Sequence, residues 1–83
     1  MGKTTAYFQC RTCEDKPSFD DAKTVFDHLR QEHGFPPGEK IEGTRQMVSH
    51  MDGKNFSAST YCLQFGSVLI YQYMHTERGN HAP

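Results

Sequence analysis

The sequence predicts a small α+β domain, in which an amino-terminal unit packs with a three-stranded antiparallel β-meander. Three observations predict this fold. The chain has only 83 residues, its composition changes at a segment rich in proline and glycine, and two turn signals divide its second half into strand-like runs. A chain of this length buries a small hydrophobic core and usually needs a further stabilising element.

Two cysteines and two histidines stand at metal-ligand spacing in the first half. Cys10 and Cys13 are separated by two residues, which lets a tight turn present two thiolates to one ion. His28 and His33 are separated by four residues, which places two imidazoles near one side of a helix. Four such ligands close a tetrahedral site, whereas a catalytic zinc keeps one position open for water. We therefore expect one structural Zn²⁺ ion.

The residues around these ligands resemble the two-cysteine two-histidine zinc-finger family. Phe8, Phe19 and Val25 match, in type and spacing, the positions that form the family's small core, with Val25 replacing the usual leucine. The resemblance covers residues 8–33 and implies a single zinc-stabilised ββα finger. The chain departs from the family in the loop from Cys13 to Phe19, which we call the knuckle: it holds five residues, two more than usual. No second cysteine pair follows the finger.

The helix of this finger is expected to begin near Asp20 or Asp21, whose carboxylates can cap its free amides, and to run toward His33. By register with the family, the positions that reach DNA bases are Asp21, Thr24 and Asp27. Residues 8–33 contain four basic and six acidic side chains. Carboxylates on this surface repel phosphate, so DNA or RNA binding is disfavoured, although an aspartate can still accept from cytosine. Capping and solvation are the alternative roles.

The segment at residues 34–43 contains two prolines and several glycines, which cannot continue a helix and should redirect the chain. Beyond it, Asp52-Gly53 suits a type I′ turn and Gly66-Ser67 a type II′ turn. These signals place a β-meander over residues 44–76, with strands at about Arg45 to Met51, Lys54 to Phe65 and Val68 to Thr76. A flexible tail at residues 77–83 completes a single zinc-dependent domain spanning residues 1–83.

Two-residue loops would pair Leu63 with Ile70, Phe65 with Val68, and Val48 with Ser57. Because side chains alternate along a strand, both faces of the meander are then substantially apolar. A sheet packed on one finger needs only one apolar face, so the second is expected to contact a partner. Large or adaptable side chains suit that contact, and the candidates are Met47, Met51, Tyr71 and Tyr73. The core of a small homodimer is the alternative.

Three cysteines are an odd number and fit a metal site better than a disulfide framework, which indicates a reducing, intracellular compartment, either cytoplasm or nucleus. Cys62 is interpreted as a small hydrophobe in a strand. A second metal site is the alternative, but the expected register does not bring His50 or His75 opposite Cys62. The sequence contains no membrane-spanning run, phosphate loop, serine elbow or paired-carboxylate pattern, so we expect neither a membrane protein nor an enzyme.

These features predict a small zinc-finger protein that acts as a protein-interaction module or homodimer through its meander. The alternative is a DNA- or RNA-binding transcriptional regulator. A lone finger joined to a short meander also resembles small proteins encoded by viruses or mobile elements, an analogy of architecture alone.

Overall fold

The computed structural model describes residues 3–77. This part of the chain is a small α+β structure with one helix and a five-stranded antiparallel sheet. In chain order the elements are β1 Lys3–Cys10, β2 Ser18–Phe19, α1 Ala22–Glu32, β3 Thr44–Asp52, β4 Phe56–Phe65 and β5 Val68–Glu77. No helix in the described range has the length and apolar character needed to cross a membrane.

The finger strands and the meander form one sheet, with strand order β2-β1-β5-β4-β3. Strand β1 pairs with β5 along its whole length, from Lys3 opposite Glu77 to Cys10 opposite Ile70. The prediction of a three-stranded meander is therefore wrong. The family resemblance begins only at Phe8, whereas threonines and a tyrosine extend β1 back to Lys3 and satisfy the edge amides of β5.

The β4–β5 hairpin has the predicted register. Leu63 lies opposite Ile70, and Phe65 lies opposite Val68. Gly66 adopts a φ of 62°, which a type II′ turn requires at its first central position and which glycine adopts without a steric cost. Strand β5 continues to Glu77, and the remainder of the predicted tail, residues 78–83, lies outside the described residues.

The β3–β4 hairpin differs from the prediction. Asp52 lies opposite Ser57, so the predicted pairing of Val48 with Ser57 is wrong. The loop is longer than two residues, and the amide of Gly53 donates to the carbonyl of Phe56 at 2.8 Å. Gly53 lacks the positive φ of a type I′ turn. Glycine is needed there for space, because a Cβ atom would overlap the ring of Phe56.

A β-bulge at Val48 decides which face each end of β3 presents. The pairing shifts between Met47 and Ser49, so one extra residue stands in β3. Met47 lies opposite Tyr61, whereas Met51 lies opposite Ala58. Directly paired residues share a face, so these two methionines lie on opposite faces, and the prediction that Met47 accompanies Met51 is wrong.

Helix α1 covers one face of the sheet near the β4–β5 turn. We call this the helix face; its buried core consists of Cys10, Val25, Leu29, Phe65, Val68 and Ile70. Phe26 packs edge-on against Phe65 with ring centroids 5.9 Å apart, which joins α1 to β4. The opposite face, which we call the tyrosine face, includes Tyr7, Tyr71, Tyr73, His75 and Met51. Within residues 3–77 no helix covers it.

Candidate metal centre

The two cysteines are positioned by the end of β1 and the turn that follows it. Cys10 is the last residue of β1 and is fully buried, while Cys13 is half-buried in the knuckle. The Cys10 amide donates to the Pro17 carbonyl at 3.0 Å, and the Lys16 amide donates to the Cys13 carbonyl at 3.2 Å. These bonds close the knuckle and direct both sulfur atoms toward the helix.

The two histidines are positioned by the carboxyl-terminal half of α1. His28 lies within the helix, and His33 is its C-cap, with its amide donating to the Leu29 carbonyl at 3.1 Å. Gly34 follows with a φ of 74°, and this turn lets the Phe35 amide also donate to Leu29, at 3.2 Å. The ring of His28 packs against that of Phe19 with centroids 4.9 Å apart. Both imidazoles are thereby held near the cysteines.

The four donor atoms converge on one point. Cys13 Sγ lies 3.4 Å from Nε2 of His28 and 3.4 Å from Nε2 of His33, and the two Nε2 atoms are 3.2 Å apart. Cys10 Sγ lies 3.6 Å from His33 Nε2, and all four donors fall within 4.8 Å of one another. Tetrahedral zinc bonds of about 2.0–2.3 Å require ligand separations of about 3.3–3.8 Å. The residues therefore fit a C2H2-like zinc site.

Burial and neighbouring protein charges shift the pKa values of two of the four donor groups. Burial, followed by the neighbouring Cys10 and the nearby carboxylates, together raise the pKa of the Cys13 thiol to about 11. Burial also lowers the pKa of His28, and the charge of His33 adds to that effect. Neutral imidazole is the form that binds a metal, and a divalent cation offsets the cost of forming thiolate. Two sulfur and two imidazole donors are typical of zinc.

The predicted finger core surrounds this group. Val25 is buried, while Phe8 and Phe19 are partly buried and pack against the same cluster. Leu29 is also fully buried and was missed in the sequence. Its position four residues after Val25 places both side chains on one face of the helix and could have identified it as a core residue.

The proposed base-reading positions have local roles in the helix. Asp21 is the N-cap, and its Oδ1 accepts from the Thr24 amide at 2.8 Å and from the Thr24 hydroxyl at 2.7 Å. The hydrogen bond from the Thr24 backbone lowers the pKa of Asp21. Asp27 is exposed and lines a cleft beside the centre together with Asp15 and Glu32. Carboxylates at this cleft repel a phosphate backbone.

The predicted partner residues are only partly brought together. Tyr71 and Tyr73 have ring centroids 6.1 Å apart, and Tyr7 stacks on Tyr73 at 4.8 Å. The guanidinium of Arg11 lies 5.1 Å from the centroid of the Tyr71 ring. Tyr7 was missed because it precedes the finger motif, although it alternates with Gln9 and pairs directly with Tyr73. Met51 lies on this face, and Met47 lies on the other.

Cys62, His50 and His75 do not form a second metal site. The described part of the chain contains one group of three or more potential ligands, and it is the Cys10 group. His50 instead bonds Ser59 Oγ at 2.8 Å and Asp52 Oδ2 at 3.0 Å, on an exposed strand. His75 stacks on Phe56 with centroids 5.5 Å apart.

Comparison of the chain with protein-family models, with curated proteins and with solved structures finds no match. The resemblance to the zinc-finger family therefore rests on residue spacing and on the convergence of four ligands. Those residues, Cys10, Cys13, His28 and His33, form a group that could hold one metal ion.

Proposed function

We propose that the protein is a zinc-stabilised protein-interaction module. One structural zinc ion fixes α1 and the knuckle to the helix face of the sheet, and the tyrosine face binds a protein partner. The observation that carries this proposal is a contiguous set of aromatic rings, Tyr7, Tyr71 and Tyr73, on a face that no described helix covers.

Zinc is suited to the structural part of this role. The buried core at the helix face consists of six residues, and one of them is the candidate ligand Cys10. A core of this size stabilises a fold weakly without a further constraint. Metal binding to a site that exists only in the folded chain contributes directly to folding, on the order of 10 kcal/mol in isolated fingers.

The tyrosine face has the chemistry of a protein contact. Tyrosine offers a large apolar area with a polar tip and loses little conformational entropy on binding. A shallow pocket of 210 Å³ is lined by residues that include Tyr7, Tyr73, Ala58 and His75, and it can accept an apolar side chain. Met51, on the same face, is 59% exposed and can adapt its shape to a partner.

A second candidate function is single-stranded nucleic-acid binding at the same face. Arg11 lies over the Tyr71 ring, and Lys3 lies on this face by register. Glu77 is the only acidic residue that the five strands contribute to it. Aromatic rings beside cations stack bases and contact phosphates. In this form of the regulator hypothesis the sheet, and not the acidic helix, contacts the nucleic acid.

Capture of partners from extract of the source cells, followed by binding measurements with each purified candidate, tests the protein-interaction proposal. The double variant Tyr71→Ser/Tyr73→Ser should retain its zinc and bind the partner at least about tenfold more weakly, since buried aromatic residues dominate interface energies. Tyr61→Ser is the matched control, because Tyr61 lies on the helix face of the same sheet. Equal loss in both variants, or none in either, contradicts the proposal.

Fluorescence anisotropy with a labelled single-stranded oligonucleotide separates the two candidates. Binding that weakens steeply with salt, and that is reduced by Arg11→Gln as well as by the double tyrosine variant, would support the nucleic-acid function in place of the protein one. Absence of binding at low salt leaves the protein partner as the proposal.

A further inference from the structure

Strand β3 forms an open edge of the sheet. It pairs only with β4, and all nine of its residues are exposed. Five large hydrophobic residues are exposed within the described range, and three of them, Met47, Val48 and Met51, lie on β3. An edge strand with free backbone groups and apolar side chains is a template for pairing with another strand.

The charges on β3 are self-complementary. Arg45 lies near one end of the strand and Asp52 lies at the other, and both are on the helix face. In a regular strand these two positions would alternate to opposite faces, and the bulge at Val48 brings them to the same one. The Arg45 guanidinium lies 3.9 Å from the centroid of the Tyr61 ring, which holds the charge on that face.

We propose that two copies of the chain pair through β3, antiparallel about a two-fold axis at Ser49. Because the bulge adds one residue, this register places Arg45 opposite Asp52 of the second copy. The two-fold axis also places Asp52 opposite Arg45 of the second copy, so the dimer contains two such ion pairs. It also places Met47 opposite His50 of the second copy. Each copy thereby satisfies the free edge of the other, and the sheet continues across the dimer.

The second open edge is less suited to self-pairing. Strand β1 is covered at Phe8 and Gln9 by the short strand β2, which leaves only residues 3–7 free. That segment contains Lys3 and no acidic residue, so it cannot form reciprocal ion pairs with a second copy. A lysine on an edge strand also discourages association.

The dimer is independent of the proposed function, because edge pairing leaves both faces of the sheet open. The Tyr71→Ser/Tyr73→Ser variant should therefore dimerise as the wild type does. Loss of partner binding and loss of the dimer are separate outcomes.

A charge-exchange experiment on the zinc-loaded full chain tests the pairing by analytical ultracentrifugation. Arg45→Asp and Asp52→Arg should each dimerise at least about tenfold more weakly, because like charges then face each other twice. Mixed in equal amounts, the two variants should form a heterodimer with wild-type affinity, since each reversed charge meets its opposite. Lys40→Asp and Glu42→Arg make matched charge changes outside β3 and should have little effect.

Cysteine cross-linking tests the register separately and does not depend on the charge variants. In a Cys62→Ser background, Ser49→Cys should form an intermolecular disulfide under mild oxidation, because Ser49 lies opposite itself. Met51→Cys should not, because Met51 lies opposite Gln46 of the second copy. A wild type that is monomeric at roughly millimolar concentration, a mixture that fails to form heterodimers, or equal cross-linking at both positions overturns the proposal.

Discussion

Each of the four candidate ligands depends on a different local feature. Cys10 is held by the ladder of β1, Cys13 by the knuckle, His28 by the body of α1, and His33 by the C-cap. Cys62 has the same chemistry but stands half-buried in β4, opposite Tyr71 and away from the group. Removing a ligand and removing Cys62 should therefore have different consequences.

We expect His28→Ala to lose zinc under chelator competition that leaves the wild type loaded, because only three ligands remain. Cys62→Ala should retain one zinc per chain and destabilise the fold by about 1 kcal/mol, since it removes one partly buried sulfur. Metal analysis and urea unfolding measure the two effects. His75→Ala is the control, because it also removes a histidine but should leave the zinc content unchanged. A zinc content below one in Cys62→Ala would assign that cysteine to a metal site.

At the scale of single elements, local sequence determines the bounds of α1, whereas tertiary contacts determine the register of β3. Helix α1 runs from Ala22 to Glu32, between the Asp21 N-cap and the His33 C-cap, close to the bounds that the capping residues and the ligand spacing predict. Strand β3 has no such local determinant of its register. Its register with β4 shifts by one residue at the Val48 bulge, and this shift is seen only in the pairing of the two strands.

We expect Asp21→Ala to lower the thermal unfolding midpoint, because the Thr24 amide loses its acceptor, and Asp21→Asn to lower it less. The charged carboxylate stabilises the folded state, so its pKa is lowered from 3.8. That contribution is complete above the usual pKa and is lost as the pH falls through the lowered one. The difference in unfolding free energy between wild type and Asp21→Asn should thus stay constant down to about pH 5 and shrink below it.

Loss of zinc at acid pH destabilises the wild type and Asp21→Asn alike. This effect therefore cancels in the difference between their unfolding free energies. A gap between wild type and Asp21→Asn that already closes near neutral pH would show that the Asp21 charge is not the stabilising feature.

At the scale of the whole molecule, the finger and the meander share one β-sheet. Strand β1 belongs to the finger and also pairs with β5 from end to end. Cys10, the candidate ligand, lies directly opposite Ile70 in the core. Loss of the ion should therefore affect the sheet as well as the finger.

We expect a strong chelator to unfold at least residues 8–33 and to disturb the β1–β5 ladder, because the ion's binding energy is also folding energy. The β3–β4 hairpin shares no ligand and should be the least affected part. Two-dimensional amide NMR during chelation, followed by addition of zinc to test reversal, measures this. Unchanged amide dispersion in residues 8–33 after the metal is removed would rule out the structural role.

The sequence by itself determined the four candidate ligands, the approximate start of the helix, the finger core and the β4–β5 register, because these depend on residues close together in the chain. Within a single turn or helix, the number of residues between two side chains fixes their relative positions in space. It did not reveal that β1 extends to Lys3 and pairs with β5, or that Met47 and Met51 lie on opposite faces. Those features come from pairing between distant segments and from one extra residue at Val48. Only the tertiary structure decides them, because strand propensity does not specify a partner strand or a register.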